Sequence, residues 1–192
     1  MSHSIYRQLL TLPNLLTCFR FISVPFLLWL AWNQYQQAFL ILLAVTFFSD
    51  VLDGMAARLL HQQSELGAKL DSWGDLMVYS TIAISTWWLH PELIVRENLY
   101  VVIVVGSYLL PVMVGFIKFK AFTSYHTWLV KLAAALMGAS YFVLMWFDMD
   151  LPFKISAVIC LIAAMEEIAI TLQLEHLKSN VKSLWHIRQV QD

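Results

Sequence analysis

Four aspartates in the middle of the chain have the spacing of metal ligands on helices. Asp50 and Asp53 are three residues apart and Asp71 and Asp75 are four apart, so each pair shares one helix face. Long apolar runs flank both pairs, and an ionised carboxylate near bilayer depth is costly unless it faces a polar cavity. Four carboxylates brought together need a strong positive charge, which a divalent cation with oxygen ligands supplies. The spacing therefore predicts a metal centre between two helices.

Apolar spans of about 20 residues, the length that crosses a bilayer core, must position these aspartates. The chain is 60% hydrophobic and only 13% charged, which indicates an integral membrane protein rather than a soluble domain. We predict an all-α fold with six transmembrane helices, forming a single domain over residues 1–192. The predicted spans are Leu15–Trp32, Ala38–Leu59, Ala68–Leu89, Leu99–Phe119, Trp128–Phe147 and Phe153–Leu174. The second and third spans carry the aspartates at their facing ends, so the centre is expected at one membrane face.

The segments outside the spans are predicted to lie at the membrane surface or in water. Residues 1–13 have apolar side chains at helical spacing, which favours a short interfacial helix that Pro13 and Asn14 then interrupt. Residues 14–174 would form the six-helix bundle, and the polar residues 175–192 a cytoplasmic tail. No cleavable signal peptide is expected.

Lysine and arginine predict the orientation, because these residues accumulate on the cytoplasmic side of membrane proteins. With the N-terminus inside, the outer loops hold only Arg96 and Lys154, and Arg20 lies within the first span. The inner segments hold Arg7, Arg58, Lys69, Lys118, Lys120, Lys131, Lys178, Lys182 and Arg188. We therefore expect a multi-pass protein of the cytoplasmic membrane, with both termini and the aspartates facing the cytoplasm. The net charge of −1 gives no basic surface for nucleic acid.

The segment that holds the aspartates resembles the signature of the CDP-alcohol phosphotransferase (CDP-alcohol phosphatidyltransferase) family, D-x2-D-G-x2-A-R-x8-G-x3-D-x3-D. All eight fixed positions match, with every gap of the family length: Asp50, Asp53, Gly54, Ala57, Arg58, Gly67, Asp71 and Asp75. The resemblance implies a phospholipid-synthesising transferase that moves a phosphatidyl group from CDP-diacylglycerol to a small polar alcohol and releases CMP. It also implies a homodimer.

The resemblance assigns a role to each matched position. It implies two divalent metal ions, Mg²⁺ or Mn²⁺, bound by Asp50, Asp53, Asp71 and Asp75. Asp71 and Asp75 would be catalytic, and Asp75 would be the general base that takes a proton from the acceptor hydroxyl. The CDP group would bind at Asp53, Gly54, Ala57, Arg58 and Gly67. The guanidinium of Arg58 suits bidentate contact with phosphate.

The start of the first span bears on the acceptor. Asn14, Thr17 and Arg20 form P-N-x-x-T-x-x-R with Pro13 and share one helical face. This stretch resembles family members that make phosphatidylglycerophosphate, and it favours glycerol 3-phosphate as the acceptor. Arg20 lies at apolar depth, so it needs an aspartate or a substrate phosphate as its partner.

A basic cluster between the fourth and fifth spans is a second candidate for the acceptor site. It comprises Lys118, Lys120, His126 and Lys131. It either binds an anionic acceptor or only marks the cytoplasmic side, and it departs at Ile117 and Ala121 from the G-K-x-K-T of phosphatidylglycerophosphate synthases. Serine and inositol or its phosphate are alternative acceptors. Glu166 and Glu167, late in the sixth span, would either pair with Lys131 or Arg20 or bind the ammonium or hydroxyls of an acceptor.

A transporter for divalent metal ions, lined by carboxylates, is the alternative class of function. Acidic residues on helices can relay such ions through a membrane. A transporter, however, has no need of Gly54, Ala57 and Arg58 at these fixed spacings. The full pattern therefore favours the enzyme.

Overall fold

A computed structural model describes residues 12–59, 65–120 and 127–174, and these residues form helices with no strand. The helices are α1 (Leu12–Trp32), α2 (Gln36–Leu59), α3 (Glu65–Leu89), α4 (Pro91–Arg96), α5 (Asn98–Phe119), α6 (Trp128–Phe147) and α7 (Leu151–Gln173). The predicted all-α fold is confirmed over this part of the chain. The six long helices agree with the predicted spans to within three residues at each end. The short helix α4 was not predicted.

Four of the described helices are long and apolar enough to cross a membrane. They are α5, α6 and α7 over their whole lengths and α2 over Gln36–Ala56. The segment Thr17–Trp32 of α1 is apolar but shorter, and α3 carries Lys69, Asp71 and Asp75 in its first half. The chain is therefore a multi-pass membrane protein, while spanning by α1 and α3 stays a prediction.

The start of α1 corrects one expectation about the N-terminal region. Pro13 and Asn14, which we expected to interrupt the helix formed by the N-terminal residues, are themselves helical and lie within the first described turn of α1. Proline is tolerated at the start of a helix because the first N–H groups have no acceptor within the helix. The predicted interfacial helix over residues 1–13 lies almost wholly outside the described residues, as does the tail over 175–192.

The first compact unit of the chain ends at Ile94, and α1 is its central helix. Helix α1 packs against both α2 and α3. Leu27 of α1 and Phe39, Leu40 and Leu43 of α2 are fully buried between the helices. Many large apolar side chains instead point outwards, among them Phe26, Ile41 and Phe48. An outer surface of this kind suits lipid tails, and in lipid the close packing of side chains, rather than exclusion of water, holds such helices together.

Contacts at one end of this unit fix the directions of its helices, with α2 antiparallel to both α1 and α3. Gln34, in the turn between α1 and α2, donates a 2.7 Å hydrogen bond to the carbonyl oxygen of Trp88 near the end of α3. The rings of Trp32 and Trp88 meet edge to face at 5.2 Å, and His90 hydrogen-bonds Gln36 at 3.1 Å. Because the chain reverses at this end, the start of α1, the end of α2 and the start of α3 meet at the other.

The second compact unit begins at Val95, and α7 packs against both α5 and α6 within it. A charged network lies at the start of this unit, where the buried carboxylate of Glu97 is 3.3 Å from Arg96 Nε and 3.3 Å from Lys154 Nζ. A hydrogen bond to Asp148 raises the pKa of Arg96, and a hydrogen bond from Lys154 lowers the pKa of Asp150. Both basic residues of the predicted outer loops are thus paired with acids.

Candidate metal centre

The four aspartates come together at the end of the first unit that lies opposite the Gln34 turn. Asp50 and Asp53 lie near the end of α2, and Asp71 and Asp75 lie in the first half of α3. The helical spacing turns each pair towards α1, which lies against both helices. The structure therefore assembles the set of carboxylates that the spacing predicted.

Three of the aspartates have the geometry of a cation site. One carboxylate oxygen from each of Asp50, Asp53 and Asp71 lies within 4.8 Å of the other two. Asp53 is buried, whereas Asp50 and Asp71 are half-buried and reachable from outside. Several carboxylate oxygens converging on one point form the donor set that Mg²⁺ and Mn²⁺ prefer. The residues therefore fit the metal ions that the sequence implies.

The guanidinium of Arg20 lies in the middle of the four carboxylates. Its Nη1 atom is 2.6 Å from Asp50 Oδ1, 2.6 Å from Asp71 Oδ1 and 3.6 Å from Asp53 Oδ2. Its Nη2 atom pairs with Asp75. The side chain of Arg20 is only 2% exposed, although it extends from an apolar helix. An aspartate was one of the two partners expected for this arginine, and four aspartates lie around it.

Smaller contacts fix both partners of this ion cluster. Thr17 Oγ1, one turn before Arg20 on α1, donates a 3.1 Å hydrogen bond to Asp53 Oδ2. A Cβ atom placed on Gly74 would lie 3.2 Å from Arg20 Cζ and 3.3 Å from Nη2, so the absent side chain leaves room for the guanidinium. Gly74 lies three residues after Asp71 on the same helix face, but it is not one of the eight positions of the family pattern. Thr17 was selected only as an acceptor ligand.

Other predicted nucleotide and acceptor ligands are only partly described. Gly54 follows Asp53 on α2 and is half-buried, and Gly67 lies in the first turn of α3. The side chains of Ala57, Arg58 and Asn14 lie outside the described part, as does the whole of His126. Their roles in binding CDP or the acceptor remain predictions.

The basic cluster that we considered for the acceptor lies in the second unit. Lys118 Nζ donates to the carbonyl oxygens of Thr171 at 3.0 Å and Leu172 at 2.7 Å. It thereby caps the C-terminus of α7, where a cation is favourable. Lys131 Nζ lies 5.5 Å from the ring centre of Trp128, and Lys120 is exposed in a left-handed backbone conformation.

Of the two glutamates late in α7, Glu166 has a described partner that the sequence analysis missed. Its Oε2 atom accepts a 3.0 Å hydrogen bond from Thr127. Thr127 is fully buried and also accepts from the backbone N–H of Val130, so it caps α6. Neither Lys131 nor Arg20 is needed to explain this contact, whose signal in the sequence is a threonine directly before the fifth span.

The fold and the cluster define a class of helical membrane proteins in which carboxylates converge at one end of a helix group. The sequence model of one such family, described as CDP-alcohol phosphatidyltransferase, matches residues 10–174. The chain belongs to this family, and the resemblance inferred from the eight matched positions is confirmed.

The similar curated proteins are all named as cardiolipin synthases or putative cardiolipin synthases. The chain is 37% identical over 110 residues to a Streptomyces coelicolor protein named cardiolipin synthase (CMP-forming), covering 50% of this chain and 51% of that one. It is 31% identical over 100 residues to putative cardiolipin synthases of Mycobacterium bovis and Mycobacterium tuberculosis, covering 48% of each. The matches thus span about half the length of these relatives. No solved structure matches the chain significantly.

Replacing Gly74 with alanine should destabilise the protein, because the guanidinium that would have to yield is bound by four carboxylates. Overpacking of this kind typically costs about 1–3 kcal/mol. Gly106→Ala on α5 is the matched control, since a Cβ atom there would meet only Leu110 Cδ1 at 4.0 Å. Thermal unfolding in detergent should show a lower Tm for Gly74→Ala and no loss for Gly106→Ala. Equal Tm values for Gly74→Ala and the wild type would contradict the close packing of Arg20.

Proposed function

We propose that this protein is a metal-dependent transferase of phospholipid biosynthesis, which moves a phosphatidyl group from CDP-diacylglycerol to an alcohol and releases CMP. One observation carries the proposal. The oxygens of Asp50, Asp53 and Asp71 lie within 4.8 Å of one another, and these residues belong to the eight-position pattern of the family. Because the aspartates of the pattern converge in the structure, they support a metal-dependent transfer at this site better than the sequence pattern alone does.

The metal ligands in this proposal are Asp50, Asp53, Asp71 and Asp75, and the ions are two Mg²⁺ or Mn²⁺. When bound, the ions supply Lewis-acid stabilisation of the charge that develops on the phosphate oxygens and on the departing CMP. The protein holds the ligands rigidly, because Asp53 is buried and accepts a hydrogen bond from Thr17. Such preorganisation avoids rearrangement of dipoles during the reaction.

Different residues of the pattern take the proton of the acceptor, contact the phosphates and leave space for the nucleotide. The oxygen of the acceptor hydroxyl attacks the phosphorus that carries the diacylglycerol group, and Asp75 takes the proton of that hydroxyl. The guanidinium of Arg58 contacts the phosphates on the cytidine side. In the family pattern Gly54 and Gly67 have no side chain, which would leave space for the nucleotide, and the residue at position 57 is alanine, one of the smallest side chains.

For the acceptor we propose the free primary hydroxyl of phosphatidylglycerol. A phosphatidyl group transferred to that hydroxyl gives cardiolipin, the product in the names of the relatives. Lys118, the first member of the basic cluster, already donates to two backbone carbonyls, which weakens the case for a site built to bind a free phosphate. Glycerol 3-phosphate, favoured by the stretch from Pro13 to Arg20, is the second candidate.

The setting of the reaction follows from the same proposal. The excess of basic residues in the predicted inner segments supports a cytoplasmic position for the aspartates, where a cytidine head group and a lipid hydroxyl would meet. We also propose a homodimer, as in the family.

The acceptor is tested by supplying purified protein with CDP-diacylglycerol, Mn²⁺ and one acceptor at a time. The panel is phosphatidylglycerol, glycerol 3-phosphate, serine, inositol and inositol phosphate. Mass spectrometry should detect cardiolipin and an equal amount of CMP with phosphatidylglycerol. Phosphatidylglycerophosphate as the main product would instead establish glycerol 3-phosphate. Uptake of Mn²⁺ into sealed vesicles without CMP release from any mixture would favour the transporter.

Replacing Asp71 or Asp75 with asparagine should abolish transfer while the protein still inserts and purifies. The amide keeps the size of the side chain but binds a hard cation weakly and cannot accept a proton, and loss of a general base alone costs about 10²–10⁴ in rate. Glu92→Gln, an exposed change at α4, is the control.

CMP release by the wild-type protein should also stop in chelator and return with Mg²⁺ or Mn²⁺. Near-normal turnover of either aspartate variant would contradict the mechanism.

A further inference from the structure

The proposed metal ligands already share a cation that belongs to the protein. Arg20 Nη1 lies 2.6 Å from oxygens of both Asp50 and Asp71, and those two residues and Asp53 are the three whose oxygens converge within 4.8 Å. We propose that Arg20 is a positioning residue. Its guanidinium holds the four carboxylates together until divalent ions bind, and those ions then displace it.

Electrostatics favour such a group whenever the metal ions are absent. Ionised carboxylates repel one another, and the repulsion grows in the low dielectric of a helix bundle surrounded by lipid. Arg20 is 2% exposed, so its own charge is also costly unless it is paired. A guanidinium offers five N–H donors in a planar fork, which allows one side chain to bridge several carboxylates. Each partner of the cluster thus makes the burial of the other tolerable.

Geometry makes the arginine and the metal ions competitors. Metal–oxygen distances for Mg²⁺ are roughly 2.0–2.1 Å, so an ion bound to Asp50 Oδ1 and Asp71 Oδ1 would occupy the space that Nη1 now fills. Two positive charges at that separation also repel strongly. Metal can therefore bind only to molecules in which Arg20 has moved away from the carboxylates. The apparent affinity for metal is lowered in proportion to the fraction of molecules in that state.

The displacement would also release the proposed general base. Nη2 of Arg20 pairs with Asp75 Oδ1, and an oxygen engaged by a guanidinium is not open to an acceptor hydroxyl. The same movement that admits the metal ions therefore frees Asp75. In this way the four carboxylates are brought together before the divalent ions bind, and Asp75 becomes accessible to the acceptor hydroxyl only when the ions are bound.

The test compares the full chain with its Arg20→Gln and Arg20→Lys variants in detergent, and it rests on the proposed metal centre. Mn²⁺ binding is titrated by the electron paramagnetic resonance of the free ion, and Tm is measured in chelator and in Mn²⁺. Arg20→Gln should lower the Kd for Mn²⁺ by about tenfold or more. It should also lower the Tm in chelator and show a larger rise of Tm with Mn²⁺ than the wild type.

Lysine provides an intermediate case, because a single ammonium cannot bridge both carboxylate pairs. Arg20→Lys should therefore bind Mn²⁺ more tightly than the wild type but less tightly than Arg20→Gln. Arg96→Gln, in the second unit, is the control and should keep the wild-type Kd.

A merely structural role would give the opposite result, since a damaged centre binds metal more weakly. A Kd for Arg20→Gln equal to or higher than that of the wild type overturns the inference. If that variant does not fold, Arg20→Lys decides by the same criterion. If none of the wild type, Arg96→Gln and the two Arg20 variants binds Mn²⁺, the metal centre itself is overturned, and with it the proposed function.

Discussion

The first unit of this protein depends on one ion cluster, in which a buried guanidinium from α1 meets carboxylates from α2 and α3. Arg20 contacts Asp50, Asp71 and Asp75, and each contact joins α1 to one of the other two helices. Apolar packing between Leu27, Phe39 and the neighbouring side chains holds the helices together. The ion cluster also constrains their register, because a shift along the helix axis would separate charges that are costly to leave unpaired. The cluster therefore sets the position of the site as well as its charge.

Much of this arrangement could be predicted from the sequence, for a physical reason. Hydropathy and span length report local properties, so the long helices agree with the predicted spans. The helical periods within D-x2-D and D-x3-D likewise place each aspartate pair on one face before any tertiary contact is known. The partner of Arg20 was predicted as an aspartate or a phosphate, because an arginine at apolar depth needs an anion. The sequence could not select among these, since the aspartates follow Arg20 by 30 to 55 residues.

The features that the sequence did not predict are mostly close contacts between helices and groups that cap helix ends. The need for glycine at position 74 arises only when the guanidinium of another helix lies against it. Lys118 resembled a ligand for an anion, yet it binds the carbonyls that end α7, which is the other common use of a lysine near a helix terminus. The hydrogen bond between Thr127 and Glu166 similarly joins α6 to α7 through residues that are 39 positions apart in sequence. A basic loop alone is therefore weak evidence about the acceptor, and family relationship and product analysis must decide it.

Anomalous diffraction from crystals grown with Mn²⁺ tests the central claim most directly, because the scattering locates the ion without any assumption about activity. The account predicts Mn²⁺ peaks bounded by carboxylate oxygens of Asp50, Asp53, Asp71 and Asp75, with the guanidinium of Arg20 withdrawn from them. The same crystals of Asp71→Asn should show weaker peaks or none. Mn²⁺ bound elsewhere in the wild type, with Arg20 still bridging the four aspartates, would contradict a metal centre at this site.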